Sequence, residues 1–147
     1  MPFRAGRRVY AADLTWIMDG FTLPSDFQSP AGDGVWVDWG GGAVISNPGV
    51  PIRLRIDGVG FAANTGTATW FGMRIAYSLD AGSTWSYGNA IYDWIGTGVE
   101  RGSFACVARW AGTPDADIHV KAQVRPGRVA DAVFREGDVD YLVIPGE

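Results

Sequence analysis

Runs in which apolar and polar residues alternate one by one, each closed by Gly, Pro, Asn or Asp, recur along most of this chain. A period of two sends every second side chain to the same side of an extended backbone. Such a run is therefore a strand with one covered face and one wet face. PIRLRID (51–57) sets Ile52, Leu54 and Ile56 against Arg53 and Arg55, and DIHVKAQV (117–124) sets Ile118, Val120, Ala122 and Val124 against Asp117, His119, Lys121 and Gln123. TWFGMRIAYSL (69–79) gathers Phe71, Met73, Ile75, Tyr77 and Leu79 on one face, which is expected to be core. GSFACVARW (102–110) does the same with Phe104, Cys106, Ala108 and Trp110. GVWVDW (34–39), AVIS (43–46), NAIYDWI (89–95), VADAVF (129–134) and DVDYLVI (138–144) complete a set of eight or nine strands.

A chain of 147 residues predicts one domain. The connections are too short for helical crossovers, so the strands pair antiparallel. The expected fold class is all-β, an antiparallel β-sandwich, jelly-roll-like because that is the commonest arrangement of eight such strands. Residues 1–20 read differently from the rest. RAGRRVYAADLTWIMDG contains one plausible helical turn, Ala11 to Met18, closed by Gly20. The predicted organisation is an N-terminal attachment arm over 1–20 and a sandwich over 21–147.

Composition excludes several function classes. Net charge is −4 and the basic residues are scattered, apart from Arg4, Arg7 and Arg8 near the start, which argues against nucleic acid as a partner. One cysteine, Cys106, allows no internal disulfide. MPFRAGRRVYAAD carries charge where a signal peptide needs an apolar run, and no stretch is long and apolar enough to span a membrane, so no membrane partner is expected and folding in a cytoplasm is.

Ser78–Trp85 reads SLDAGSTW. Asp80 suits an Asx-type turn, Gly82 suits a positive φ, and Trp85 supplies an apolar plate, so the segment predicts a hairpin in which each residue has a structural task. Ser78, Asp80, Gly82, Thr84 and Trp85 fit S-x-D-x-G-x-T-W, and the segment resembles the Asp-box of sialidases and other β-propeller glycan hydrolases. A propeller needs several four-stranded blades, and this chain has a single copy of the motif and no blade-length repeat. The resemblance implies a structural turn.

Catalytic chemistry finds little footing. His119 lies on the polar side of its run and Cys106 on the apolar side of another, so a Cys–His pair is not expected. Gly40-Gly41-Gly42 lacks the Lys and helix start of a phosphate loop. Asp115 with Asp117 and Asp138 with Asp140 fall short of a calcium-ligand spacing and read as solvated carboxylates. No catalytic residue, metal or cofactor is assigned. Seven Trp in so short a chain raise a different prospect, since exposed Trp stacks on sugar rings. Trp36 and Trp39, flanking Asp38, and Tyr92 and Trp94, flanking Asp93, are the candidate glycan contacts.

Two terminal segments carry a resemblance. FRAGRRVYAADLTWI, through Ala5-Gly6, Val9, Ala11-Ala12 and Leu14, resembles the start of small bacteriophage tail-fibre and minor tail proteins. IHVKAQVRPGRVADAVFREGDVDYLVIPGE, through Ile118, Val120, Ala122-Gln123 and Tyr141–Ile144, resembles the last strands of phage trimeric jelly rolls of the C1q/TNF-like kind; its Pro145-Gly146-Glu147 departs from their usual ending. The resemblance implies a non-enzymatic virion structural protein, assembled in the host cytoplasm. It implies a homotrimer docked to other phage virion proteins through Phe3, Arg4, Arg7, Arg8, Tyr10, Leu14 and Trp16 of the arm. A capsid decoration or head-fibre protein of the same fold is one alternative. A carbohydrate-binding module is another, and a host-surface glycan is a further candidate partner of the protein.

Overall fold

The computed structural model describes residues 16–146. Its strands are β1 (Ile17–Leu23), β2 (Val37–Asp38), β3 (Ala43–Ile45), β4 (Ile52–Asn64), β5 (Thr69–Ser78), β6 (Ser86–Tyr87), β7 (Ile91–Ile95), β8 (Gly102–Gly112), β9 (Ile118–Pro126) and β10 (Ala132–Pro145). They form two antiparallel sheets. One has the order β1-β10-β4-β8. In the other, β9 and β5 lie at the centre, β2 and β3 both pair with β9, and β6 and β7 both pair with β5.

β2 and β3 follow one edge of β9, interrupted by Gly40–Gly42, while Trp39 N still donates to Ala122 O at 2.9 Å. β6 and β7 likewise follow one edge of β5. With each interrupted pair taken as a single strand, the molecule is two four-stranded sheets, ordered β1-β10-β4-β8 and β2/β3-β9-β5-β6/β7. Among the described strands, every connection but one passes from one sheet to the other, the exception being the β5–β6 hairpin. This is the winding of an eight-stranded jelly-roll sandwich.

The period-two pattern puts the apolar residues between the sheets. From β5 come Phe71, Met73, Ile75 and Tyr77; from β9, Ile118, Val120, Ala122 and Val124; from β4, Ile52, Leu54 and Ile56; from β8, Phe104, Cys106 and Ala108. At one point a single side chain joins the two layers. Trp39, at the end of β2, is fully buried; its ring centroid lies 5.5 Å from Phe134 of β10, which in turn lies 5.9 Å from Phe71 of β5. The indole occupies space that Cβ atoms would otherwise fill: one placed on Gly60 of β4 would sit 2.8 Å from Trp39 Cζ3, and one on Gly137 of β10 2.9 Å from Cη2. The Trp39 Nε1–H donates to Pro24 O at 2.8 Å, so the buried polar atom is satisfied.

Three expectations change. Trp39 is core and cannot contact a glycan, because it shares the parity of inward-facing Val37, opposite Val124, rather than that of Trp36 and Asp38. The arm and the sandwich do not divide at residue 20. Ile17–Leu23 pairs with Gly137–Val143, so the sheet begins at Ile17 and takes the last four residues assigned to the arm, ending the helical reading of Ala11–Met18 before Ile17. The arm residues Phe3, Arg4, Arg7, Arg8, Tyr10 and Leu14 lie outside the described residues. The two final strand runs are joined, since β10 continues from Ala132 to Pro145 through a register shift between Phe134 and Glu136, and Val129–Asp131 is a single 3-10 turn.

Removing the indole would leave a cavity touching both sheets. Trp39→Ala is expected to lower stability by about 3–5 kcal/mol, read as the shift in urea midpoint at constant m-value. Trp94→Ala, on the surface, should stay within about 0.5 kcal/mol of the parent.

Candidate binding face

The residues of opposite parity make the outer face of the second sheet. From β5 it takes Trp70, Gly72 and Arg74, and from β9 Lys121, Gln123 and Arg125. Trp36 and Asp38 come from the β2 side, and Trp85, Tyr87, Tyr92 and Trp94 from the β6/β7 side. Register sets these neighbours: Trp70 is opposite Trp94, Gly72 lies between Tyr92 and Arg125, and Arg74 is opposite Gln123.

Gly72 shapes the middle of the face. A Cβ there would stand 2.9 Å from Tyr92 Cε1 and 3.2 Å from Trp36 Cη2, so both rings lie down over bare backbone. Their centroids are 6.1 Å apart at 58°. Beside them the Arg74 guanidinium carbon lies 4.3 Å from the Trp36 ring centroid and 3.8 Å from that of Tyr87, two cation–π contacts to one cation. Arg74 Nε donates to Gln123 Oε1 at 2.8 Å, Gln123 Nε2 donates to Asp38 Oδ1 at 2.8 Å, and Lys121 Nζ reaches the same carboxylate at 3.1 Å. Lys121 also lies 3.9 Å from the Trp85 ring centroid. Burial pulls the Arg74 pKa down; Tyr87 and Tyr92 oppose that shift, and neighbouring Arg125 adds to it.

At one end of the face is an open cleft of about 490 Å³, lined by Gly34, Thr69, Trp70, Tyr92, Arg125 and Gly127. Trp70 is 55% exposed and Trp94 53%, and their rings meet edge to face at 5.4 Å and 72°. Arg125 is tied down by a 2.8 Å bond from Nε to Gly34 O and a 3.4 Å bond from Nη1 to the Tyr92 hydroxyl.

At the opposite end is the Ser78–Trp85 turn. Asp80 Oδ1 accepts from Thr84 N at 2.8 Å and from the Ser78 hydroxyl at 2.7 Å, while Oδ2 accepts from the Thr84 hydroxyl at 2.6 Å. Gly82 N donates to Ser78 Oγ at 2.8 Å; Ala81 and Gly82 have φ of 57° and 89°. Leu79 O accepts from Asp115 N and Ala116 N, and Ala81 N donates to Asp117 O, so the turn is held against the loop before β9. The bonds from Thr84, reinforced by Ser78, hold the Asp80 carboxyl down at about 2, against an ordinary 3.8.

The glycan candidates are thus partly brought together: Trp36, Tyr92 and Trp94 share the face with Asp38, Asp93 points to the covered side, and Trp39 is in the core. Alternation already assigns Trp70 and Arg74 to the side of β5 opposite Phe71, and that same signal locates Gln123 and Arg125, whereas Tyr87 lies in a strand of two residues with no run to reveal it. Cys106 and His119 do not meet. Cys106 faces the core from β8, with burial foremost and then Asp57 pushing its thiol up to about 12, whereas His119 lies on β9 with its ring 6.4 Å from that of Trp85. Asp117 Oδ1 is engaged by Asn47 N at 2.8 Å. Among the described residues no group of three or more His, Cys, Asp or Glu side chains could hold a metal ion.

No family model matches this chain, and no curated protein does. Among solved structures it is similar to one of infectious bursal disease virus, Gx strain, with a TM-score of 0.54 and 13% identity over 90% of this chain and 33% of that one. This chain therefore spans about a third of the viral chain, and at that identity the likeness is one of fold. A second likeness is to the CBM22-1–GH10 modules of Clostridium thermocellum endo-1,4-beta-D-xylanase 10B complexed with xylohexaose. Its TM-score is 0.38, with 14% identity over 90% of this chain and 26% of that one, too distant to carry weight.

The Asp80 carboxyl is held down in the folded turn, so its contribution is present above the unfolded value of 3.8 and is lost as pH falls toward about 2. Thr84→Val removes the hydroxyl bond. It is expected to raise the Asp80 pKa toward the ordinary carboxylate range, as read from the carboxyl carbon shift in an NMR titration.

Proposed function

We propose that this chain is a non-enzymatic structural protein of a bacteriophage particle that presents the aromatic face of its second sheet to a glycan on the host surface. One observation carries the contact half of this reading. Six aromatic side chains, Trp36, Trp70, Trp85, Tyr87, Tyr92 and Trp94, share one sheet face with a fixed set of polar partners. Flat rings offer stacking surfaces to pyranose rings, and oriented Arg, Gln and Asp groups offer hydrogen bonds to hydroxyls. A rigid sheet supplies both without ordering a loop.

The assembly half rests on the terminal resemblances and on the outer face of the other sheet. There Met18 is 76% exposed and Trp16 55%. Beside them a groove of about 540 Å³ is lined by Leu142 and Ile144 and by the arginines Arg53, Arg55 and Arg109. An exposed apolar patch of this kind suits a protein interface. It lies where residues 1–15 join β1. In this reading the first sheet faces the other subunits of a homotrimer and the particle, and the second faces outward. A place in the tail tip or tail fibre follows the resemblance; a capsid decoration or head-fibre protein is the variant. A carbohydrate-binding module outside any particle shares the aromatic face and differs in assembly.

Light scattering behind size exclusion should give about three times the 15.8 kDa chain mass. Removal of residues 1–15 should leave a folded assembly that no longer labels virions. A monomer that binds glycans would favour the free module. The face itself is tested on a glycan array: Trp70→Ala combined with Trp94→Ala should abolish saturable binding while the melting temperature is retained.

A further inference from the structure

The geometry points to a carboxylate-bearing sugar as the occupant of the cleft at the Trp70 end of the face: one ring stacked on Trp70, its carboxylate on Arg125. This rests on the reading of the face as a glycan contact and names the class of glycan. A volume of about 490 Å³ lies within the range of small-ligand sites and leaves room for one or two sugar rings. The exposed Trp70 ring forms one wall, with Trp94 set edge-on against it. Thr69 contributes a hydroxyl.

Charge decides the class. Among the described residues, the cleft lining contains one cation and no carboxylate. The Arg125 guanidinium is positioned by Gly34 O and the Tyr92 hydroxyl, which engage Nε and Nη1. Among the described residues these bonds leave Nη2 as a donor, beside Gly34, where a Cβ would stand 3.5 Å away. A guanidinium fixed at two nitrogens and keeping a charged donor at the third suits a carboxylate. Arg74 stands next along the face, and the two cations are close enough for Arg125 to depress the Arg74 pKa. Among the nearby acids, Asp38 pairs with Lys121 and Gln123 and Asp131 with Arg128, Asp33 accepts from Val129 N, and Asp93 lies opposite Phe71 on the covered side of its strand. The chain as a whole has a net charge of −4, so the single cation of this lining stands out from its surroundings.

Titration calorimetry on the full chain tests this with matched probes: trigalacturonate and sialyllactose, each against its own methyl ester. The expected result is about tenfold or greater preference for the charged member of at least one pair. That preference should shrink as NaCl rises from about 0.05 to about 0.5 M. The pair showing it identifies uronate or sialate. Arg125→Gln should erase the preference, bringing the charged and neutral members of the pair to equal affinity; Arg125→Lys should retain part of it. The methyl ester removes the charge from the ligand alone, so the result holds even where an arginine variant folds poorly. Equal affinity within both pairs overturns the inference while the glycan reading stands, and no binding to any of the four probes overturns both.

Discussion

The two sheets of this molecule are held in register by one indole. Trp39 leaves the edge of the second sheet, crosses the interior, and lies against Phe134 where Gly60 and Gly137 have no side chains. A plate of that size fits only because both partners in the first sheet are glycines at the same level. Either one as alanine would force the ring aside, at the cost of about 1–3 kcal/mol usual for an overfilled core. The satisfied Nε1–H means the ring is buried without an orphaned donor. Packing around this point determines how far apart the sheets stand and hence where the outer faces lie.

Given that scaffold, each outer face has its own chemistry. The first sheet shows arginines beside Leu142, Ile144 and Met18; the second shows aromatics around a hydrogen-bonded Arg–Gln–Asp chain. The interior rules both by the same alternation. Because Phe71 and Met73 must point inward, Trp70, Gly72 and Arg74 have no choice but to point outward.

That alternation makes much of the fold legible in the sequence. The core face of β5, the strands β4, β8 and β9, and the antiparallel sandwich all follow from period-two runs. Adjacency misleads where parity serves. Trp36 and Trp39 are three residues apart and look like one cluster, yet three steps along a strand reverse the side. Trp70 is hard to see as a surface residue beside Phe71, because both are large aromatics and only their opposite parity separates core from face. The start of the sheet is obscured for another reason. β1 is specified by pairing with β10, over one hundred residues away, and no local propensity reports on so distant a partner. The break of β2/β3 at three glycines makes one strand read as two.

The Ser78–Trp85 turn has a meaning that its hydrogen bonds alone do not convey. In this winding it joins the only two sequence-adjacent strands, among those described, that pair with each other, whereas β10 must find β4 across a long loop and β1 must find β10 across almost the whole chain. Closing a short loop loses far less chain entropy than closing a long one. The β5–β6 hairpin is therefore where order can begin, and a topology so dominated by distant partners folds on the slow scale of all-β sandwiches. A turn of eight residues, closed by its own Asp and Ser side chains, serves here as the seed of a jelly roll.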